Sequence, residues 1–185
     1  MKSKNKVILV VLLFFIASST LAVSQNELPV KEIMIKHFGQ QVFQDQRSKR
    51  NLWTGDFNGD GIKDIFILSR GNGLMKNLKK YIKVTSVTKR NELIVNQEFG
   101  VLSIIHATGA QEPFFESKEV FLIVDITTRN GDWFNVVTNS KENSEILNSG
   151  NCAGAAIAIS SPGPTDYICW NGKKYEWFYL SDDIP

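Results

Sequence analysis

The sequence predicts a mainly β domain, α+β in class, with antiparallel meander-like sheets and one N-terminal helix. Three observations carry this. Past residue 50 the chain is a succession of short runs rich in β-branched and aromatic residues, among them "DIFILSR", "GVLSIIHA", "EVFLIVDITT" and "DWFNVVTN". Turn signals punctuate the runs, Asn130-Gly131 and Asn171-Gly172 being the clearest. Near the start, residues 29–45 carry apolar side chains at helical spacing.

The first residues are set apart from that domain. Lys2, Lys4 and Lys6 form a basic start, Val7 to Ala17 an apolar core short of a comfortable membrane span, and the stretch to Ser24 has small residues for cleavage after Ala22 or Ser24. This is the pattern of a secretory signal peptide over 1–24, with 25–185 as a single domain of periplasmic or secreted location. The alternative is a retained N-terminal anchor; no cysteine at the cleavage region offers a lipid attachment. Removing 1–24 leaves 18 basic against 19 acidic residues, net −1, so the basic balance belongs to the leader. Nothing in the remainder reads as a nucleic-acid footprint, and no stable membrane anchor is expected after cleavage.

The elements follow in order. Pro29 suits a first helical turn, and Val30, Ile33, Met34, His37, Phe38 and Phe43 give the apolar stripe of a helix at about 29–45, with Gly39 weakening its middle. "NLWTGDF" and "DIFILSR" read as strands flanking an acidic loop. "LKKYIKVTSVTK" and "NELIVNQEF" are further strand candidates, "SKENSEILNSGNCAG" is a polar connection, and "AAIAIS" and "DYICWNGKKYEWFYL" close the fold. Asn171-Gly172 as a two-residue turn pairs Trp170 with Lys173 and Ile168 with Tyr175. Trp170, Tyr175, Trp177 and Tyr179 then share one face, and Phe178 and Leu180 the other. That aromatic strip is either core or an exposed binding platform for a glycan or peptide.

Cys152 and Cys169 are the two cysteines of an exported chain, which reads as one disulfide. It would close an 18-residue loop and contribute about 3 kcal/mol in the chain-entropy model. Two free buried thiols are the alternative.

The densest chemistry lies in "GDFNGDGIKDIFIL", residues 55–68. With Asp56 as position 1, Asn58, Asp60 and Asp64 fall at positions 3, 5 and 9. Gly61 takes the sharp turn at position 6, and the Ile62 carbonyl position 7. This is the oxygen-ligand spacing of a calcium loop: alternate residues turn inward, and hard oxygens suit a hard cation. Ile67 stands where an EF-hand has its bidentate glutamate, and the flanks read as strands. The competing reading is an Asx-rich β-turn with no ion. The stretch resembles the D-x-[DN]-x-D-G-x-x-D calcium loop of FG-GAP and VCBS-type repeats, as in β-propeller blades. The resemblance covers about 15 residues and has no second copy here. With the ending "YICWNGKKYEWFYLSDD", the chain is similar to small exported bacterial proteins carrying one such loop. The resemblance implies propeller-blade-like β-structure and a structural calcium.

No catalytic constellation stands out. His37 sits on the helical stripe and reads as a packing residue. His106 ends an apolar run, with Ser103 before it but no G-x-S-x-G elbow. Zinc spacings and phosphate loops are absent from the sequence. Asp125 and Asp132, a formal candidate pair for glycoside hydrolysis, read better as strand-end and turn residues. The function expected is therefore an exported, calcium-stabilised, non-enzymatic binding protein whose partner is another envelope or secreted protein, or a glycan. An immunity protein or inhibitor of a toxin or hydrolase is the alternative, and a calcium-supported envelope-glycan hydrolase the second.

Overall fold

The computed structural model describes residues 28–71, 73–74, 78–87, 94–95, 100–126, 131–160 and 164–180. The expected leader 1–24, Asn130 and most of "NELIVNQEF" lie outside them.

The mainly β expectation holds. Helix α1 (Val30–Phe38) leads through a 3-10 turn (Gly39–Gln41) into β1 (Val42–Gln44), β2 (Leu52–Gly55) and β3 (Asp64–Gly71). The short β4 (Gly73–Leu74), β5 (Ile82–Ser86), the short β6 (Ile94–Val95), β7 (Gly100–Ile105), α2 (Pro113–Glu116) and β8 (Val120–Ile126) follow. After a second 3-10 turn come β9 (Phe134–Val137), α3 (Ser144–Ser149), β10 (Ala156–Ile159), β11 (Asp166–Trp170) and β12 (Tyr175–Tyr179). The large sheet runs β1-β3-β7-β8-β5 with β2 also on β3; the second runs β12-β11-β10-β9, and β4 pairs β6. Among the described residues only the β5–β8 pair is parallel; the other pairs are antiparallel.

Side-chain alternation builds the layers. On β3, Phe66 and Leu68 face the small sheet, while Ile65 and Ile67 face α1. The same split puts Leu102, Ile104, Phe121 and Ile123 in the core between the sheets and Val101, Ile105, Val120 and Leu122 in the core under α1. Strands β3, β7 and β8 are therefore apolar on both faces, which is why they read as unbroken hydrophobic runs. Helix α3 covers the outer face of the small sheet through Leu147, against Ala156 and Cys169. The layers run helix, large sheet, small sheet, helix.

Several expectations are corrected. The helix ends at Phe38, because Gly39 takes φ +72 and turns the chain. Val42 and Phe43 belong to the edge strand β1. Asn130-Gly131 does not join a hairpin, since β8 and β9 lie in different sheets. The polar connection 140–154 contains α3. The last hairpin pairs Trp170 with Tyr175 and Ile168 with Trp177 across a four-residue loop. Asn171 Oδ1 accepts from the backbone N–H of Lys173 and Lys174, at 3.0 Å each, and this Asx bond widens the turn. The register differs by two residues from the expected one, so every side chain keeps its face. Cys152 and Cys169 form the disulfide, with Cα atoms 5.5 Å apart.

Candidate functional site

The acidic loop is the connection of the β2–β3 hairpin, closed by the Gly55–Asp64 pair. Asp56 Oδ1 accepts from Gly59 N–H at 2.7 Å and Asp60 N–H at 3.1 Å, and its Oδ2 from Gly61 N–H at 2.9 Å. Asp60 Oδ1 accepts from Ile62 N–H at 2.7 Å, and the Asn58 amide donates to Asp60 Oδ2 at 2.9 Å. Gly59 and Gly61 both take left-handed φ, +81 and +85. Asp64 lies beneath the loop, fully buried. Its Oδ2 accepts from Phe57 and Asn58 N–H at 2.9 and 3.3 Å, and its Oδ1 from Ala107 N–H at 2.8 Å. Burial still outweighs these bonds and pushes its carboxyl up to about 6.

Among the described residues, no three His, Cys, Asp or Glu side chains converge as a metal-ligand set. The loop is held by its own backbone amides. Each carboxylate oxygen has two lone pairs, so these bonds do not exhaust Asp56, Asp60 or Asp64. The donor set is all oxygen, as a hard cation requires, and the costly buried charge of Asp64 is what a neighbouring cation relieves. In donor type, though not as a converged set, Asp56, Asn58, Asp60, the Ile62 carbonyl and Asp64 are what calcium takes.

The hairpin tip also ties the two sheets together. Ala155 N–H donates to the Asp56 carbonyl at 2.7 Å, and Ala153 N–H to the Trp170 carbonyl at 2.7 Å. A Cβ on Gly59 would stand 2.1 Å from the Ala153 carbonyl oxygen, and one on Gly154 2.3 Å from that of Asp56. Two glycines thus permit the close approach, at Ala153 and Gly154, the two residues that follow the disulfide-bonded Cys152.

Behind this junction His106 is buried, with Nε2 2.8 Å from the Tyr175 hydroxyl and Nδ1 3.6 Å from Glu119 Oε2. Burial lowers the imidazole pKa against the pull of Glu119 and raises that of Tyr175. A neutral ring with hydrogen on Nδ1 accepts the Tyr175 O–H and faces the carboxylate. Ser103 points to the opposite face of β7 from Leu102 and Ile104, under α1, so it has no part in this group. His37 packs as expected: it is buried, its Nε2–H donates to the Phe114 carbonyl, and burial lowers its pKa.

The aromatic strip is mostly core. Trp170 and Tyr175 are buried between the sheets, Trp177 is half-buried against them, and Tyr179 alone is well exposed. Trp170, Tyr175, Trp177 and Tyr179 therefore do not form one continuous platform, because the large sheet covers the first two.

A feature that sequence reasoning missed lies between α1 and the edge strand β1. A groove of about 550 Å³ is lined by Met34, Ile35, Val42 and Phe43 and rimmed by Lys31 and Arg47. Asp45 and Arg70 also line it, paired at 3.3 Å, with the carboxylate 1% and the guanidinium side chain 13% exposed. Arg47 Nε adds a second contact to Asp45 at 3.4 Å. The residues "QDQRSKRN" look like an ordinary polar connection. The one hint was an aspartate two residues after an apolar pair and two before Arg47.

Compared with protein-family models, with curated proteins and with solved structures, the chain matches none.

Proposed function

We propose that this chain is an exported, non-enzymatic binding protein that holds a segment of another envelope or secreted protein in the α1–β1 groove, with calcium at the acidic hairpin as a structural ion. One observation carries the binding role. Of the three large hydrophobic side chains exposed among the described residues, Ile35 and Phe43 line this one groove. Exposed apolar surface rimmed by polar groups is a mark of interaction sites. Lys31, Arg47 and Arg70 outnumber Asp45 around it, so the fitting occupant is an apolar segment flanked by acidic residues. An inhibitor or immunity protein is one form such a binder takes. Export is supported by the leader pattern and by the disulfide, a bond that persists in oxidising compartments.

The test is a photo-crosslinking amino acid placed at Phe43 in the full chain and expressed in cells. An adduct with an envelope or secreted protein is expected, lost on Ile35→Asp and on Arg47→Glu. No adduct, or one indifferent to both changes, overturns the reading. For calcium, the resemblance to single-loop calcium proteins and the all-oxygen donor set are the support. Without the position-12 glutamate, affinity should fall at roughly 10⁻⁴ to 10⁻³ M. Millimolar calcium should raise the melting temperature by mass action, and Asp60→Ala should abolish the rise. An unchanged wild-type melting curve leaves the loop as a turn.

A further inference from the structure

The groove between α1 and β1 offers hydrogen-bonding backbone as well as apolar side chains. We infer, resting on the reading of that groove as a protein-binding site, that its occupant is an extended segment of the partner polypeptide, which adds to β1 as a further strand of the large sheet.

The ladder shows which way the backbone of β1 points. In an antiparallel pair, residues that exchange hydrogen bonds with the neighbouring strand alternate with residues whose N–H and C=O point away from it. Val42, Phe43 and Gln44 stand opposite Gly71, Arg70 and Ser69, and one step further Asp45 N–H donates to the Leu68 carbonyl at 2.9 Å. Asp45 therefore bonds towards β3, and Phe43, two residues back, does the same. Gln44 between them turns both its N–H and its C=O away from β3, and Val42 turns its C=O the same way. β1 ends the large sheet, and among the described residues no strand lies beside it there.

The groove runs along this free edge. Val42 and Gln44 lie on the face towards α1, and Phe43 and Asp45 on the face shared with Leu68 and Arg70. All four line the groove. A cavity lined by successive residues of one strand, from both of its faces, opens on the edge of that strand, where the outward N–H and C=O groups are.

Those groups select the occupant. A helix keeps its backbone bonds to itself. Laid in the groove, it would take the Gln44 N–H and C=O out of water and give them no partner, which is costly. An apolar small molecule has the same defect. An extended chain pairs with them, as in strand addition to a sheet edge. Its side chains then alternate, one towards Met34 and Ile35 and the next beside Phe43, so two adjacent apolar residues suit the two walls. Lys31 and Arg47 at the rim suit flanking carboxylates. β1 has only three residues, and so short an edge limits pairing with unrelated chains.

The test uses the full chain with the photo-crosslinking amino acid at Phe43, expressed in cells. Capture alone does not decide it; two changes at Gln44 do. Gln44→Pro removes the outward N–H and no bond of the β1–β3 ladder, and proline is tolerated on edge strands. Gln44→Ala loses the same side chain, with its 2.8 Å bond to Asn51 Oδ1, and keeps the N–H. The adduct should fall about tenfold or more with Gln44→Pro, the effect of one lost hydrogen bond, and persist with Gln44→Ala. An adduct undiminished by Gln44→Pro overturns the added strand and leaves the groove reading standing. Loss with Gln44→Ala as well assigns the contact to the side chain and overturns the inference. No adduct in the wild type overturns the groove reading and this inference with it. An adduct with the mass of two copies of this chain puts a second copy in the groove and overturns the partner. If Gln44→Pro fails to fold, hydrogen exchange in the purified wild-type adduct decides. There the Gln44 N–H should exchange about tenfold or more slowly than in the free chain, since a paired amide is protected, and unchanged exchange overturns the inference.

Discussion

Strand β3 runs between two buried carboxylates that are stabilised in different ways. At its start Asp64 accepts from three backbone N–H donors, those of Phe57, Asn58 and Ala107. At its other end Asp45 lies beside Leu68, bonded through its backbone to the Leu68 carbonyl at 2.9 Å, and faces the guanidinium groups of Arg70 and Arg47. Neutral dipoles hold a charge in place without cancelling it, so Asp64 remains a desolvated negative centre beneath the hairpin. A guanidinium cancels the charge but can be exchanged for apolar packing. The first arrangement suits an end of the molecule that must lock and could take a cation. The second suits a groove wall that must not present a bare carboxylate.

The largest test of that contrast is Asp64→Ala. It removes the acceptor of Phe57, Asn58 and Ala107 N–H at once. At about 1–3 kcal/mol for each buried donor left without a partner, partly relieved by water, the expected loss is about 4 kcal/mol in urea unfolding. A loss under about 1 kcal/mol would mean the amides find water and the carboxylate is not a lock.

Next come the hairpin glycines. Gly59→Ala meets both the left-handed φ and the Ala153 carbonyl at 2.1 Å, whereas Gly61→Ala meets the φ with open space around it. The αL penalty alone is about 1–2 kcal/mol. Gly61→Ala should cost that much, and Gly59→Ala clearly more, about 3 kcal/mol, because the backbone contact must shift. Equal costs would show that the tip does not press on the 153–155 segment.

At the other end of β3, Arg70→Ala should cost about 2–3 kcal/mol, below the usual 3–5 for a broken buried pair because Arg47 still faces Asp45. The double change Asp45→Leu with Arg70→Met should recover most of it. No apolar replacement of Asp64 should do so. A recovery at Asp64, or none at the pair, would erase the distinction.

The most gradual effect is that of pH, measured in chelator. Asp64 has its carboxyl raised from 3.8 to about 6 on folding. Its contribution to stability is therefore fully present below about pH 3.8 and is lost as pH rises through about 6. The change is on the order of 3 kcal/mol. It should vanish in Asp64→Ala and be offset by millimolar calcium at pH 7, since a bound cation favours the ionised carboxylate. A slope of the opposite sign would mean that the three N–H bonds outweigh desolvation.

The legibility of the chain follows the range of the interactions involved. Residues 64–70 and 120–126 could be read as strands because burial on both faces leaves an unbroken apolar run. The hairpin at Asn171 was legible in its faces though not in its register, since a slip of two residues preserves side-chain parity. Helix α3 was not legible. Of its six residues only Leu147 is buried, so no apolar period marks it. The Asp45–Arg70 pair, 25 positions apart, shows no local pattern at all.

By itself the sequence determined the strand-rich class, the Cys152–Cys169 pairing and the oxygen spacing of residues 56–64. Each of these depends on side-chain period, residue type or close neighbours along the chain. Only the tertiary structure decided where those parts meet. It packed the hairpin tip on Gly154, covered Trp170 and Tyr175 with the large sheet, and left Ile35 and Phe43 open. The physical reason is that burial and close approach are properties of surfaces brought together from distant residues, and no local period records which surfaces those will be.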